Sequence, residues 1–271
     1  MAVLLSGKPI AITGASSGIG LATARLCAAA GMPVVLAARR ADRLAAAAAE
    51  INASGGRAIA VTCDVADEAD SRRVIARTVE EFGSVYAVFA NAGYGFEAPF
   101  HQTPDYDLRA IFETNFWASL TLARAALEHM IPARQGHILF CSSCVAKIGI
   151  PYFAAYSATK AAQDHFARAM RHELRSKGVH VSSVHPVQTS TEFFDVAAEK
   201  SEHPGLVTRP PRFAFQPAER VGRAVVRCLR KPRGEVWTSW PMRMALGLSV
   251  MMPGVTDWAL TRIKPGATSG E

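Results

Sequence analysis

Pro9-Ile10-Ala11-Ile12-Thr13-Gly14-Ala15-Ser16-Ser17-Gly18-Ile19-Gly20 decides the fold. A short apolar run enters a turn rich in glycine, and an alanine-rich stretch, Leu21 to Ala30, leaves it. A strand, a glycine turn and a helix N-terminus in that order make a site for phosphates. Glycine lets the backbone come close, and the unpaired N–H groups of a first helical turn point at the anion. The spacing is Gly14, three residues, then Gly18-Ile19-Gly20, not G-x-G-x-x-G. A plain flexible loop is the competing reading, and the strand-turn-helix context weighs against it.

Outward from this turn the chain alternates. Strand signals fall at 10–13, 33–37, 57–62, 87–90, 136–141, 180–185 and 235–238, with helical stretches at 18–30, 40–53, 67–82, 104–131, 154–177 and 217–230. Such alternation predicts a doubly wound α/β fold, a Rossmann-type parallel sheet of about seven strands with helices on both faces, in a single domain. Ligands of such sheets sit at the carboxyl ends of the strands. Gly14, Arg39, Asp64, Asn91, Ser143 and Pro186 each follow a strand signal.

Tyr156-Ser157-Ala158-Thr159-Lys160 supplies the proton chemistry. Four residues apart on a helix, Tyr156 and Lys160 share a face. A phenol has a pKa of about 10 and is a poor base near neutrality. A nearby ammonium lowers that value, so Tyr156 is expected to exchange a proton with a carbonyl or alcohol oxygen. Alone, the pair reads as an ordinary helix contact; beside a dinucleotide turn it reads as catalytic.

From about residue 8 to residue 238 the chain resembles the classical short-chain dehydrogenases/reductases. Thr13 to Gly20 matches the family's TGxxxGIG; Asn91-Ala92-Gly93 matches its N-A-G, with Ala90 where a second Asn is common. Tyr156 and Lys160 match Y-x-x-x-K, Ser143 lies thirteen positions earlier, and Asn115 matches the family's helical asparagine. The resemblance implies a catalytic set of Asn115, Ser143, Tyr156 and Lys160. It implies cofactor contacts from Gly14, Ser16, Ser17, Gly18, Ile19, Gly20, Asp64, Val65, Asn91, Ala92, Gly93, Tyr156, Lys160, Pro186, Val187, Thr189 and Thr191. In the implied mechanism Tyr156 is the general acid, Lys160 reaches the nicotinamide ribose, Ser143 fixes the substrate oxygen, and Asn115 holds a water linking Lys160 to solvent. The chain departs at Pro186-Val187, where the family commonly has Pro-Gly, which puts a β-branched side chain beside the nicotinamide. For Asp64, a helix-capping role competes with adenine contact.

The second strand signal ends Leu36-Ala37-Ala38-Arg39-Arg40. An NAD site places Asp or Glu near here for the ribose hydroxyl. Two arginines suit a 2′-phosphate instead, because a guanidinium forks onto it. NADP is therefore the expected cofactor, with Arg39 its contact and Arg40 a second; the bland alternative is two solvated arginines at a helix start.

At 271 residues and 49% apolar composition the chain can fill one large core. The formal net charge is +7, but the basic residues are scattered, so no nucleic-acid partner is expected. The N-terminus reads without a secretory signature, and the five cysteines are scattered and odd in number. These features suggest reduced thiols and a cytoplasmic location. Cys141-Ser142-Ser143-Cys144 lacks a second ligand pair, so no metal is expected.

Tyr94, Phe96, Phe100, Ile148, Ile150, Tyr152 and Phe153, with Phe193, Phe194, Phe213 and Phe215 in an irregular stretch, suggest a bulky hydrophobic ketone or alcohol. Residues at about 190–216 read as a lid on a catalytic domain of 1–238. Residues 239–271 read as an apolar tail, expected to pack on the core or a partner subunit. Contact with a membrane surface is the minority reading, helped by Arg243, Arg262 and Lys264. Apolar positions on more than one face of helices 104–131 and 154–177 suggest a homo-dimer or homo-tetramer. Beside the reductase reading stand a non-catalytic NADP-binding regulator or scaffold on the same fold, and an epimerase or dehydratase of the extended family, disfavoured by length and glycine spacing.

Overall fold

The computed structural model describes residues 2–201 and 215–263. Seven parallel strands form one sheet in the order β3-β2-β1-β4-β5-β6-β9. They are β1 (Ile10–Thr13), β2 (Val34–Ala38), β3 (Ala58–Thr62), β4 (Ala87–Ala90), β5 (Gly136–Cys141), β6 (Val179–His185) and β9 (Glu235–Trp237). A short parallel pair, β7 (Thr189–Ser190) and β8 (Gln216–Pro217), lies apart from it.

Both faces of the sheet are covered, which is why its strands read as continuous apolar runs. Alternate residues divide between two cores. Ile10, Ile12, Val34 and Leu36 pack with α1 (Gly18–Ala29), α2 (Ala41–Ala53) and α8 (Ala218–Arg230). Ala11, Val35, Ala37 and Val88 pack with α3 (Glu68–Phe82), α5 (Ala118–Met130) and α6 (Ala154–Leu174). The period of two along each strand therefore builds two hydrophobic layers at once.

Several boundaries differ from the sequence expectation. The stretch read as one helix over 104–131 is α4 (Asp105–Phe112), a π turn (Glu113–Trp117) and α5. The extra residue of a π turn redirects one side of a helix, and Asn115 sits in it. The stretch read as irregular contains α7 (Phe193–Lys200). Phe213 and the rest of 202–214 within the proposed lid lie outside the described residues.

Past Ser239 the chain forms two helices, α9 (Trp240–Met251) and α10 (Pro253–Ile263), and α9 lies against the turn Cys144–Lys147. Ser239 caps α9 by accepting from the Met242 N–H at 3.4 Å. Leu246 is the buried side chain of α9, while Trp240, Met244, Leu248, Val250 and Met251 are exposed. Among the described residues no helix is long and apolar enough to cross a membrane.

Candidate active site

The glycine turn owes its path to two left-handed residues, Gly14 (φ 65°) and Gly18 (φ 54°). Close approach fixes its other features. A Cβ at Gly20 would lie 2.3 Å from the Gly14 carbonyl oxygen, and one at Gly18 would lie 2.9 Å from Thr191 Cγ2. Ser17 is the N-cap of α1 but makes no side-chain cap bond, so the first turn keeps N–H groups to offer. The residues just past β4, the strand beside β1, lock this turn in place. Thr13 Oγ1 accepts from the Asn91 and Ala92 N–H groups at 3.1 and 3.2 Å. Asn91 Nδ2 donates back to the Thr13 carbonyl at 3.0 Å.

Arg40, not Arg39, leans over the turn. Its Nη2 donates to Ser16 Oγ at 2.9 Å and Ser17 Oγ at 2.8 Å, and its Nη1 meets Glu192 at 2.8 Å. Arg43 holds the other oxygen of Glu192 at 2.6 Å. Hydrogen bonds from Arg43 and then Arg40 pull the Glu192 carboxyl down to a pKa of about 2. Arg39 is exposed. The helix-capping reading of Asp64 belongs to Asp67 instead, which accepts from Ala69 N–H at 2.8 Å and Asp70 N–H at 3.3 Å. Asp64 stays exposed and accepts from the Ala66 N–H at 3.1 Å. Val65 follows it, partly buried.

Past β6, the Pro186 carbonyl accepts from Cys144 N–H at 3.0 Å, and Val187 N–H donates to Thr238 Oγ1 at 3.4 Å. Val187 is not among the residues with positive φ, so the backbone here does not need the family's glycine. Thr189 Oγ1 donates to the Val187 carbonyl at 2.7 Å, and Thr191 Oγ1 accepts from Phe193 N–H at 3.2 Å at the entry to α7.

Tyr156, Ser143, Lys160 and Asn115 converge at the ends of β4 and β5, all nearly or wholly buried. Ser143 has an extended backbone and accepts from Val145 N–H at 3.3 Å through its own Oγ. Tyr156 packs against Phe153 at 4.5 Å and Phe193 at 5.2 Å between ring centres, and shares a cluster with Phe96 and Ile111. Phe100, also expected to line the site, is 73% exposed. The aromatic side chains packed around Tyr156 are therefore Phe96, Phe153 and Phe193. Tyr152, just before α6, holds φ 64°, a strained value for a bulky residue, of a kind that concentrates at functional sites.

Lys160 does not act on Tyr156 as the sequence implied. Burial raises the phenol well above its ordinary value, Cys141 and Cys144 raise it further, and only the Ser143 hydroxyl opposes them. Lys160 Nζ lies 5.6 Å from the ring centre and donates to the Cys141 carbonyl at 2.7 Å and to Gln163 Oε1 at 3.1 Å. Burial lowers the ammonium to a pKa of about 8. In this state Tyr156 is a protonated donor, not a phenolate. Asn115 spends its side chain on Tyr94, donating to the carbonyl at 2.9 Å and accepting from the N–H at 3.0 Å, and on Thr159 Oγ1 at 3.1 Å. Gly93 must stay small here, since a Cβ would meet Asn115 Oδ1 at 2.9 Å and Lys160 Nζ at 3.4 Å.

Behind Ser143 lies a charged cluster that no sequence signal marked. His185 Nδ1 bonds the Ser143 carbonyl at 3.0 Å, and its Nε2 faces Asp164 at 3.3 Å and Ser183 Oγ at 3.0 Å. Lys147 closes the group, meeting Asp164 at 2.5 Å and Glu235 at 3.3 Å. Trp237 stacks on His185 with ring centres 4.4 Å apart. Burial would raise the Asp164 carboxyl, but bonds from His185, Lys147 and Ser183 outweigh it and hold the group well below the usual range. Its residues come from α6, β6, β9 and the turn after β5, so only the folded sheet brings them together.

The family model described as short chain dehydrogenase matches residues 8–202. An oxidoreductase of Listeria monocytogenes is 31% identical over 84% of this chain and 92% of its own. The dehydrogenase/reductase SDR family member 7B of Bos taurus is 31% identical over 91% of this chain and 78% of its own. In a crystal structure of a short chain dehydrogenase/reductase from Burkholderia phymatum in complex with NAD, the fold superposes with a TM-score of 0.84 at 24% identity, covering 94% of this chain and 96% of that one.

Asp164 makes a testable contribution to stability. Its folded pKa is depressed, so its stabilisation is present above the unfolded carboxyl's pKa of about 3.9 and is lost as pH falls below it. Asp164→Asn should cost at least about 1 kcal/mol in urea unfolding near pH 7. The gap from the wild type should narrow as pH falls below about 4. A gap that stays constant across this range would show that the carboxylate charge contributes nothing.

Proposed function

The chain belongs to the short chain dehydrogenase family of oxidoreductases, and from that premise we propose that it is an NADP-dependent reductase or dehydrogenase interconverting a carbonyl and an alcohol on a hydrophobic substrate. The observation that carries this reading is the convergence of Ser143, Tyr156 and Lys160 beside a glycine turn that no Cβ could share with the backbone it touches. A nicotinamide cofactor fits that turn and supplies the hydride when bound. Gly14, Ser16, Ser17, Gly18, Ile19 and Gly20 would hold its diphosphate, Asn91, Ala92 and Gly93 would border it, and Lys160 would donate to its nicotinamide ribose. Tyr156 gives its proton to the oxygen of the substrate carbonyl, and its raised pKa suits a group that must be protonated beforehand. The Ser143 O–H donates to the same oxygen and fixes its position. Phe96, Phe153 and Phe193 exclude water from the reacting carbon.

NADP in place of NAD rests on this chain's own residues. Ala37 and Ala38 end β2 where an acidic partner for a ribose hydroxyl would stand. Arg40 already holds Ser16 and Ser17, with Arg39 next to it, and a 2′-phosphate suits the pair. The regulator reading lacks support by comparison, since it gives no reason for Ser143, Tyr156 and Lys160 to meet.

A homo-oligomer is part of the proposal. Trp117 and Phe166 are 50% and 45% exposed on the outer face of the π turn and α6, joined through Phe116 at 5.0 Å from each ring. Aromatic side chains placed so suit a second copy of the chain. Light scattering at micromolar protein should give a dimer or tetramer mass, and a monomer mass would refute it.

Activity is tested by NADPH oxidation against ketones, aldehydes and quinones. Tyr156→Phe should fall below a tenth of the wild-type rate while still binding NADPH; retention of more than that removes the proton donor from the scheme. NADPH should be preferred over NADH by at least about tenfold in efficiency. Arg39→Ala and Arg40→Ala should each weaken NADPH by about ten- to a hundredfold and leave NADH little changed. Equal use of both cofactors by the wild type would reduce the arginines to a solvated helix start.

A further inference from the structure

Gln163 is wholly buried on α6, three residues beyond Lys160. A buried amide is costly unless both of its ends are paired. Here both are paired, and the partners belong to the site. Oε1 accepts from Lys160 Nζ at 3.1 Å, and Nε2 donates to the Asn115 carbonyl at 2.6 Å. That carbonyl lies within the π turn, and the Asn115 side chain is already committed to Tyr94 and Thr159.

We propose that Gln163 is a positioning residue for Lys160, its amide spanning from the ammonium to the Asn115 carbonyl and keeping Lys160 charged while turnover proceeds. The inference rests on the reductase reading, in which the Lys160 ammonium would donate to the nicotinamide ribose. Two acceptors meet the ammonium, the Cys141 carbonyl and Gln163 Oε1. An acceptor bonded to the charged form favours that form. Burial works in the opposite direction, so one amide oxygen carries weight at neutral pH.

The titratable groups facing Lys160 are Cys141 from β5 and Tyr156 from its own helix. Asp164, one turn further on, is engaged with Lys147 and His185. Glu113 of the π turn is exposed to solvent. Among these groups no carboxylate is bonded to the ammonium, which leaves the role to a neutral amide.

The test compares Gln163→Met, similar in length and without a hydrogen-bonding amide, with Gln163→Glu, which retains an acceptor and can add charge. Rate is followed against pH at saturating NADPH and ketone. The ammonium is lost as pH rises, so the alkaline limb should move down by about half a pH unit or more in Gln163→Met and up by a similar amount in Gln163→Glu. An NMR titration of the Lys160 side chain should show the same opposite shifts without any turnover. Limbs and titrations that superpose on the wild type, or shifts in the reverse sense, overturn the proposal. So does a lowered melting temperature with an unmoved titration, which is the mark of a merely structural amide. If the wild type fails to oxidise NADPH, or Tyr156→Phe keeps its rate, the reductase reading fails instead. An active wild type, an inactive Tyr156→Phe and unshifted Gln163 variants sink this inference alone.

Discussion

An ammonium buried to near-zero exposure is the constraint on which the site depends. Lys160 lies between the end of β5 and the π turn, and its charge survives there only if acceptors come to it. The Cys141 carbonyl is one, available because β5 ends at that residue. The second comes from Gln163, which is anchored on the carbonyl of Asn115. The π turn, the end of the strand and the packing of α6 are therefore one arrangement. Ser142 joins it, donating from Oγ to the Lys160 carbonyl at 2.9 Å.

The same helix faces two polar clusters. Tyr156, Lys160 and Gln163 turn toward β4 and β5, while Asp164 turns toward β6 and meets His185, Ser183 and Lys147. His185 then grips the backbone of Ser143. Serine and tyrosine, which come from different elements, are thus registered against each other through α6. A buried network of this kind holds position well only when each member finds partners.

Much of this is legible in the sequence. The strands 10–13, 87–90 and 136–141 match their expected bounds because apolar runs ended by Thr-Gly, Asn-Ala-Gly and Cys-Ser-Ser leave little freedom. Ser143, Tyr156 and Lys160 do meet, as their placement at strand ends and on one helix face required. The π turn was not legible, since Glu113-Thr114-Asn115 has no propensity that separates it from α-helix. Gln163 carries no local signal, since its partner Asn115 lies 48 positions away. Glu192 meets Arg40 across 152 positions, a contact without a local signature. The raised phenol of Tyr156 has no sequence signal, because motif spacing reports which groups are neighbours and not how dry their surroundings are.

The strand order also fixes how the chain must fold. β1 pairs with β2, its next strand, but also with β4, so the centre of the sheet waits for a segment well over half a hundred residues downstream. Thr13 receives the Asn91 N–H across 78 positions. Closing so long a loop costs entropy before any contact repays it, and pairings of that kind form slowly. β1, α1, β2, α2 and β3 can assemble as a local unit, but the glycine turn lacks its brace until β4 docks. The nucleotide pocket is thus a late product of folding, completed when the two halves of the sheet join.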